Sequence, residues 1–515
     1  MSKLSPKSPL MKSLFSSLSV IKAFLYTTYS TLLLFPILST PVVADDFAGP
    51  FYQFNSIGFG LTPAVKFGWN NAYVGVNFRI LGMPFGSVIH FLYVDLAGRF
   101  GIPISTSYFI TKLVVYLGIG IVASWVCVEM LRLVGKELSY WTVLFVSSTV
   151  IFVSLQNHGM WSNDPVSGYP LAGFGSVILG LSVLTYSLKS ARLGITRSRI
   201  AGLTILTTAS VLYYELNVGM IIGVAPLLAL AALRSAPDVS ISLFAKIKKL
   251  IFVAIPCVVP ALALGWGRII SGSSPQSYGG TTIRLGSRAV NTFLSGMIST
   301  LPGSAWALSS QFLGGSIGFI RGVMPIVVLA VLVVFVFLHS ESQRTRATQK
   351  CDYRLMAPAV TALFAFWFVG VGIQAVTSKV QDESPQIGYV YTYYAIGATV
   401  VAILISLMIL YFGSSLRLKT ATVTVGLILL IVGSCQLTIN WQLMDKMNAS
   451  LEPNRALLDA FSSQTEVPYR CRALIHWTNG GWPSYYEEGM TNGLQAAYLH
   501  YHGEKFCPNF VMPMP

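Results

Sequence analysis

Apolar residues in this chain run together in long blocks, broken at intervals by short clusters of basic and polar residues. A hydrocarbon layer about 30 Å thick needs about 20 apolar residues per helix. Blocks of that size lie at residues 20–43, 106–128, 139–156, 171–188, 198–214, 218–233, 250–267, 322–339, 355–377, 389–412 and 418–439. In lipid each backbone polar group must find its partner within its own segment, so the blocks are read as helices. The expected fold is an all-α membrane protein, a polytopic bundle of about 11 transmembrane helices.

Two further stretches are less regular. Ile80 to Gly98 is broken by Pro84 and carries His90 and Asp95, and Ser287 to Gly318 mixes Gly, Ser and Trp306 with the sequence Leu301-Pro302-Gly303. Both read as helices lying in the membrane interface, in the first and fourth outer loops. Counting residues 80–98 as a span would reverse every later segment and move Lys189, Arg192, Arg197 and Arg199 to the outside.

Charge sets the orientation. Only 10% of the 515 residues are charged while 54% are hydrophobic, against about 25% charged in soluble domains, which excludes a soluble enzyme. With the N-terminus inside, the six inner segments hold 20 of the 34 Lys and Arg and five of the 19 Asp and Glu. Their excess of 15 equals the whole net charge, and the remainder balances at 14 of each sign. Basic residues concentrated in short inner loops are the positive-inside signal, not a nucleic-acid surface. The expected location is a multi-pass cell (inner) membrane with a cytoplasmic N-terminal tail (1–19), a transmembrane domain (20–439) and a periplasmic or extracellular C-terminal cap (440–515). The basic start, the apolar run and Val42-Val43-Ala44 also resemble a cleavable signal peptide. The long basic region and long apolar run favour a retained first helix.

All long segments, 44–105, 268–321 and 440–515, fall outside in this topology, so chemistry is expected there. The inner loops are too short to fold as domains, and no G-x-x-x-x-G-K-[ST] phosphate loop occurs, which argues against direct use of a nucleotide. Cys471 and Cys507 share the tail, and an oxidising compartment makes them a plausible disulfide.

Asp45 and Asp46 follow the first span directly. Adjacent carboxylates at a membrane boundary raise each other's pKa, which suits a general base; the plain alternative is a solvated loop start. An acidic pair there, then a long outer loop with interfacial helices and many more spans, resembles the GT-C superfamily of integral membrane glycosyltransferases. The closest layout is that of bacterial members that modify O-antigen or cell-wall glycans. As sequence the resemblance rests on residues 43–52. It implies that Asp45 or Asp46 is the base, or a ligand where members use a divalent cation. It also implies a polyprenyl-phosphate-linked sugar as donor and a glycan or lipid as acceptor.

Glycosyl transfer from a lipid phosphate also needs cations on the departing phosphate and an apolar groove for the chain. Arg79, Arg268, Arg284, Arg288 and Lys379 are the outer cations considered, Arg268 and Arg284 first, each otherwise a snorkelling boundary charge. Glu215, at the outer end of a span, binds sugar hydroxyls or pairs with an outer Arg. His158, Trp161 and Asp164 share a short outer loop of sugar-contacting composition; the plain alternative is Trp161 as an interfacial anchor and Asp164-Pro165 as a turn. His500-Tyr501-His502 and Glu487-Glu488 lack the support that a structural metal site needs, and none is assigned. Competing functions are a flippase or transporter for lipid-linked saccharides, which calls for ionisable residues deep in the spans, and an outer-face oligosaccharide ligase or polymerase.

Overall fold

The computed structural model describes residues 9–72, 79–159, 164–234, 243–272, 282–306, 316–342, 353–384, 386–413, 419–463, 465–478, 484–508 and 510. Among them the protein is helical throughout, and its only β pairing is an isolated bridge between Ile283 and Thr377. It is an all-α polytopic membrane protein.

Eleven helices coincide with the apolar blocks. They are α1 (Pro9–Leu38), α5 (Ile104–Leu133), α6 (Tyr140–Ser154), α7 (Pro170–Leu193), α8 (Arg197–Tyr213), α9 (Val218–Arg234), α10 (Leu243–Gly272), α12 (Ser316–Ser342), α13 (Tyr353–Ala375), α15 (Tyr393–Gly413) and α16 (Lys419–Ser450). Nine contain stretches long and apolar enough to cross a membrane. The other two, α6 and α8, are the shortest, at 15 and 17 residues beside the 17 of α9, whose stretch gains length from the preceding turn.

The spans pack through small residues and hydroxyls, because lipid supplies no hydrophobic drive between helices. A Cβ on Gly223 of α9 would lie 2.6 Å from Ala362 Cα, so only glycine allows α9 and α13 to meet that closely. Tyr26 and Tyr29 of α1 bond Ser148 and Thr149 of α6 at 3.0 and 2.8 Å, and Ser124 of α5 bonds Ser147 at 2.7 Å. At one end of the bundle Glu129 of α5 accepts from Arg132 at 2.8 Å and from Arg192 of α7 at 2.9 Å. These are residues of the segments that the charge count places inside.

The opposite end carries a second core. Residues 44–100 fold into α2 (Ala44–Ile57), α3 (Leu61–Asn71) and α4 (Gly82–Phe100), and the tail folds into α17 (Glu452–Ser462), α18 (Val467–Thr478) and α19 (Ser484–His502). Phe47, Phe51, Phe54 and Phe91 from the loop interleave with Leu457, Phe461, Trp477 and Tyr498 from the tail. The two regions therefore form one cap, although the end of α4 at Phe100 and the start of α17 at Glu452 lie far apart in sequence. α16 runs unbroken to Ser450, so residues 440–450 prolong its helix before the cap helices begin. Cys471 and Cys507 form the expected disulfide.

The interfacial stretch at 80–98 is α4, 19 residues long and not among the apolar spans. Its Phe91, Val94 and Ala97 are buried in the cap core, so its apolar face is turned largely toward protein. From the other stretch, α11 (Ser287–Ser299) is described, and residues 307–315 lie outside the described set. A short α14 (Ser378–Glu383) packs beside α11.

Candidate functional site

α2 begins at Ala44, six residues beyond the end of α1, so the acidic pair occupies the first turn of a helix that caps the bundle. Asp46 is half-buried and accepts three hydrogen bonds from three separate elements. The Tyr108 hydroxyl of α5 donates to Oδ2 at 2.8 Å, and the Tyr169 backbone N–H donates to the same oxygen at 3.1 Å. Nε2 of His90 from α4 lies 3.2 Å from Oδ1, donating in the tautomer this contact selects. The side chain of Asp45 lies outside the described set.

Two of these donors have their own support. The Tyr108 proton is shared with the Ser167 carbonyl at 3.0 Å. Tyr169 takes a left-handed conformation at φ 55°, which aims its N–H at Asp46 just before Pro170 starts α7. Tyr93 stands edge-on to Tyr108, and burial together with the Asp46 carboxylate raises its phenol well above the usual range.

One turn below Tyr108, Lys112 is fully buried. Its ammonium donates to the carbonyls of Ile37 and Thr40 at 3.2 and 3.0 Å and to the Thr40 hydroxyl at 2.8 Å. It also sits 4.5 Å from the Tyr108 ring centroid. The Ile37 carbonyl also accepts from the Thr40 hydroxyl at 2.8 Å, and a buried cation beside carbonyls at a helix C-terminus is the favourable arrangement for such an end. Lys112 thereby fixes the segment that delivers Asp46.

Arg79 and Glu215 meet in a two-pronged pair, Nε to Oε2 at 2.8 Å and Nη2 to Oε1 at 2.6 Å, with the guanidinium 4.1 Å over the Tyr214 ring. Of the two roles considered for Glu215, it takes the pairing with an outer Arg. Desolvation lowers the Arg79 pKa, and the Glu215 carboxylate, together with Tyr214 and Tyr391, more than offsets it, leaving a net rise.

His158 and Asp164 come together in the interior. Asp164 accepts from the backbone N–H of His158 at 2.7 Å and of Val166 at 2.9 Å, and both side chains are completely buried. Their described contacts organise the loop. Trp161 lies outside the described residues, as does the side chain of Arg268. Arg284 is exposed and shares Asp382 with Arg288, at 3.2 and 2.8 Å. Lys379 lies 4.0 Å from Glu383 and 5.4 Å from the Tyr391 ring centroid. Arg284 and Lys379 thus belong to a second polar patch on α11 and α14, built separately from the Asp46 cluster.

Among the described residues no three His, Cys, Asp or Glu side chains converge as a metal site would require. Sequence reading assigned no role to His90, Tyr108, Lys112 or Tyr169. Lys112 alone offered a signal, since an ionisable residue inside an apolar block is a functional candidate by default. Comparison of the chain with protein-family models, with curated proteins and with solved structures finds no match.

Proposed function

We propose that the protein transfers a sugar from a polyprenyl-phosphate donor to a glycan or lipid acceptor on the outer face of the membrane, with Asp46 as general base. The observation that carries this reading is the Asp46 carboxylate, held by His90, Tyr108 and the Tyr169 N–H where the first span meets the cap. Two carboxylate oxygens offer about four acceptor positions, so three occupied positions orient the group and leave one for an acceptor hydroxyl. In the step, Asp46 takes the hydroxyl proton while that oxygen forms the new bond to the anomeric carbon. The bond from the anomeric carbon to the phosphate oxygen breaks, and the phosphate leaves with the electron pair, inverting the sugar. In this reading the cations for the departing phosphate come from Arg284, Arg288 and Lys379, with the two arginines sharing one Asp382 carboxylate. A divalent cation at the acidic pair belongs to this reading as an option that donor assays with and without chelator decide.

The test is turnover by purified protein with a panel of polyprenyl-phosphate sugars and crude envelope glycan, comparing wild type with Asp45→Asn and Asp46→Asn. A general base contributes about 100-fold to 10,000-fold, so Asp46→Asn should lose at least that lower factor while still binding donor. Undiminished turnover in Asp46→Asn removes the assignment. Lipid-linked sugar crossing vesicles without donor consumption selects the flippase, and transfer of whole glycans selects the ligase.

A further inference from the structure

A cavity of about 260 Å³ opens at the cap end of the bundle, where the 38–42 segment, the start of α5 and the α16–α17 junction meet. Its polar wall is Ser39, Thr40, Ser105, Thr106, Asn448 and Arg455, and its floor is apolar, with Leu38, Val42 and Phe109. Arg455 is the one charged residue in this wall, and no carboxylate lines it.

The polar groups divide into two sets. Thr40 and Asn448 are engaged by the scaffold, Thr40 with Lys112 and Asn448 with the Ser39 carbonyl at 3.4 Å. By contrast, among the described residues the hydroxyls of Ser39, Ser105 and Thr106 and the Arg455 guanidinium make no hydrogen bond or ion pair. Arg455 feels only the longer-range attraction of Asp459, one turn away. Four uncommitted donors around one pocket, one of them cationic, fit a phosphate.

The surroundings specify what carries that phosphate. From Thr106 an exposed stripe continues down α5 through Ile110 and Val114, 51% and 63% exposed. Apolar side chains left bare on a membrane helix are the surface that acyl chains cover. Asp46 is not in the cavity wall; it turns to Tyr108, His90 and Tyr169, so a lipid here is not presented to that carboxylate.

We infer that this cavity binds the phosphate headgroup of an anionic glycerophospholipid, with its acyl chains along the Thr106–Ile110–Val114 stripe. The lipid braces the segment between α1 and α2, whose Thr40 is also held by Lys112. This site stands independently of the reaction assigned to Asp46.

Native mass spectrometry of the delipidated full chain, titrated with phosphatidylglycerol or phosphatidylcholine, tests it. One basic residue contributes about fivefold toward an anionic headgroup, so wild type should prefer phosphatidylglycerol by about that factor. Arg455→Gln should abolish the preference, and Ser105→Ala with Thr106→Val should weaken phosphatidylglycerol binding at retained charge. Arg472→Gln, the same charge change on an exposed site elsewhere in the cap, should leave it intact, and thermal unfolding verifies that each variant is folded. Equal binding by wild type and Arg455→Gln overturns the inference. So does a polyprenyl phosphate that displaces phosphatidylglycerol from wild type at equal concentration but not from Arg455→Gln, since the pocket would then belong to the donor.

Discussion

Arg79 and Glu215 stand fork to fork, their two parallel hydrogen bonds joining the segment before α4 to the turn between α8 and α9. The backbone repeats the junction, with Leu81 N–H donating to the Leu212 carbonyl at 3.1 Å. The pair is therefore a rivet between cap and bundle. Both side chains are mostly buried, at 19% and 9% exposure, so removing one partner strands the other charge. Arg79→Ala and Glu215→Ala should each cost about 2–3 kcal/mol, and the double variant less than their sum. Denaturation of the four proteins in a double-mutant cycle measures this; additive losses would mean that the pair is not coupled.

Lys112→Met keeps the length of the side chain but removes three donors from the end of α1. The carbonyls of Ile37 and Thr40 then lack those partners, which should lower stability by about 1–3 kcal/mol. Because Tyr108 shares its helix face and holds Asp46, turnover in the transfer assay should fall as well. Thermal unfolding and kinetics on one preparation separate the two effects. An unchanged melting temperature would show that α1 does not need this cation.

Gly493 marks the tightest approach within the cap. A Cβ there would collide with the Phe51 carbonyl oxygen, so α19 lies directly on the α2 backbone. Gly493→Ala must push the two helices apart, at about 1–3 kcal/mol or more for overpacking. Limited proteolysis should cut the tail of this variant faster than that of wild type, and comparable rates would contradict the packing.

His502 gives the cap a pH dependence. Its pKa is lowered, first by burial and then by Arg470, with Glu504 opposing. A histidine whose folded pKa lies below the unfolded 6.5 contributes no penalty above pH 6.5. As pH falls below that value the unfolded chain takes up its proton first, so stability declines until the folded pKa is passed. The melting temperature should drop between pH 7.5 and 5.5, and drop less in His502→Gln. Equal slopes in the two proteins would remove His502 as the cause.

The segments were legible in the chain because they depend on local quantities. About 20 apolar residues match one bilayer, and basic residues collect in short loops. All eleven blocks are helices for that reason, and the pairing of Cys471 with Cys507 followed from compartment and position. Asp46 was legible as a carboxylate at a boundary. Its partners were not, since Tyr108 and Tyr169 read as ordinary aromatics of an apolar run and a loop, and His90 as one imidazole in an irregular helix. Arg79 was legible as a cation of a loop, whereas its commitment to Glu215, 136 residues away, required the cap to be docked. Tertiary structure likewise turned α4 inward and closed the cap around the C-terminal tail. Burial of Phe51 against Phe461 or Trp477 against Phe47 depends on contacts between distant segments, and no local period encodes those. Hydrocarbon thickness thus set which residues cross the membrane, while packing among distant segments set what surrounds the carboxylate.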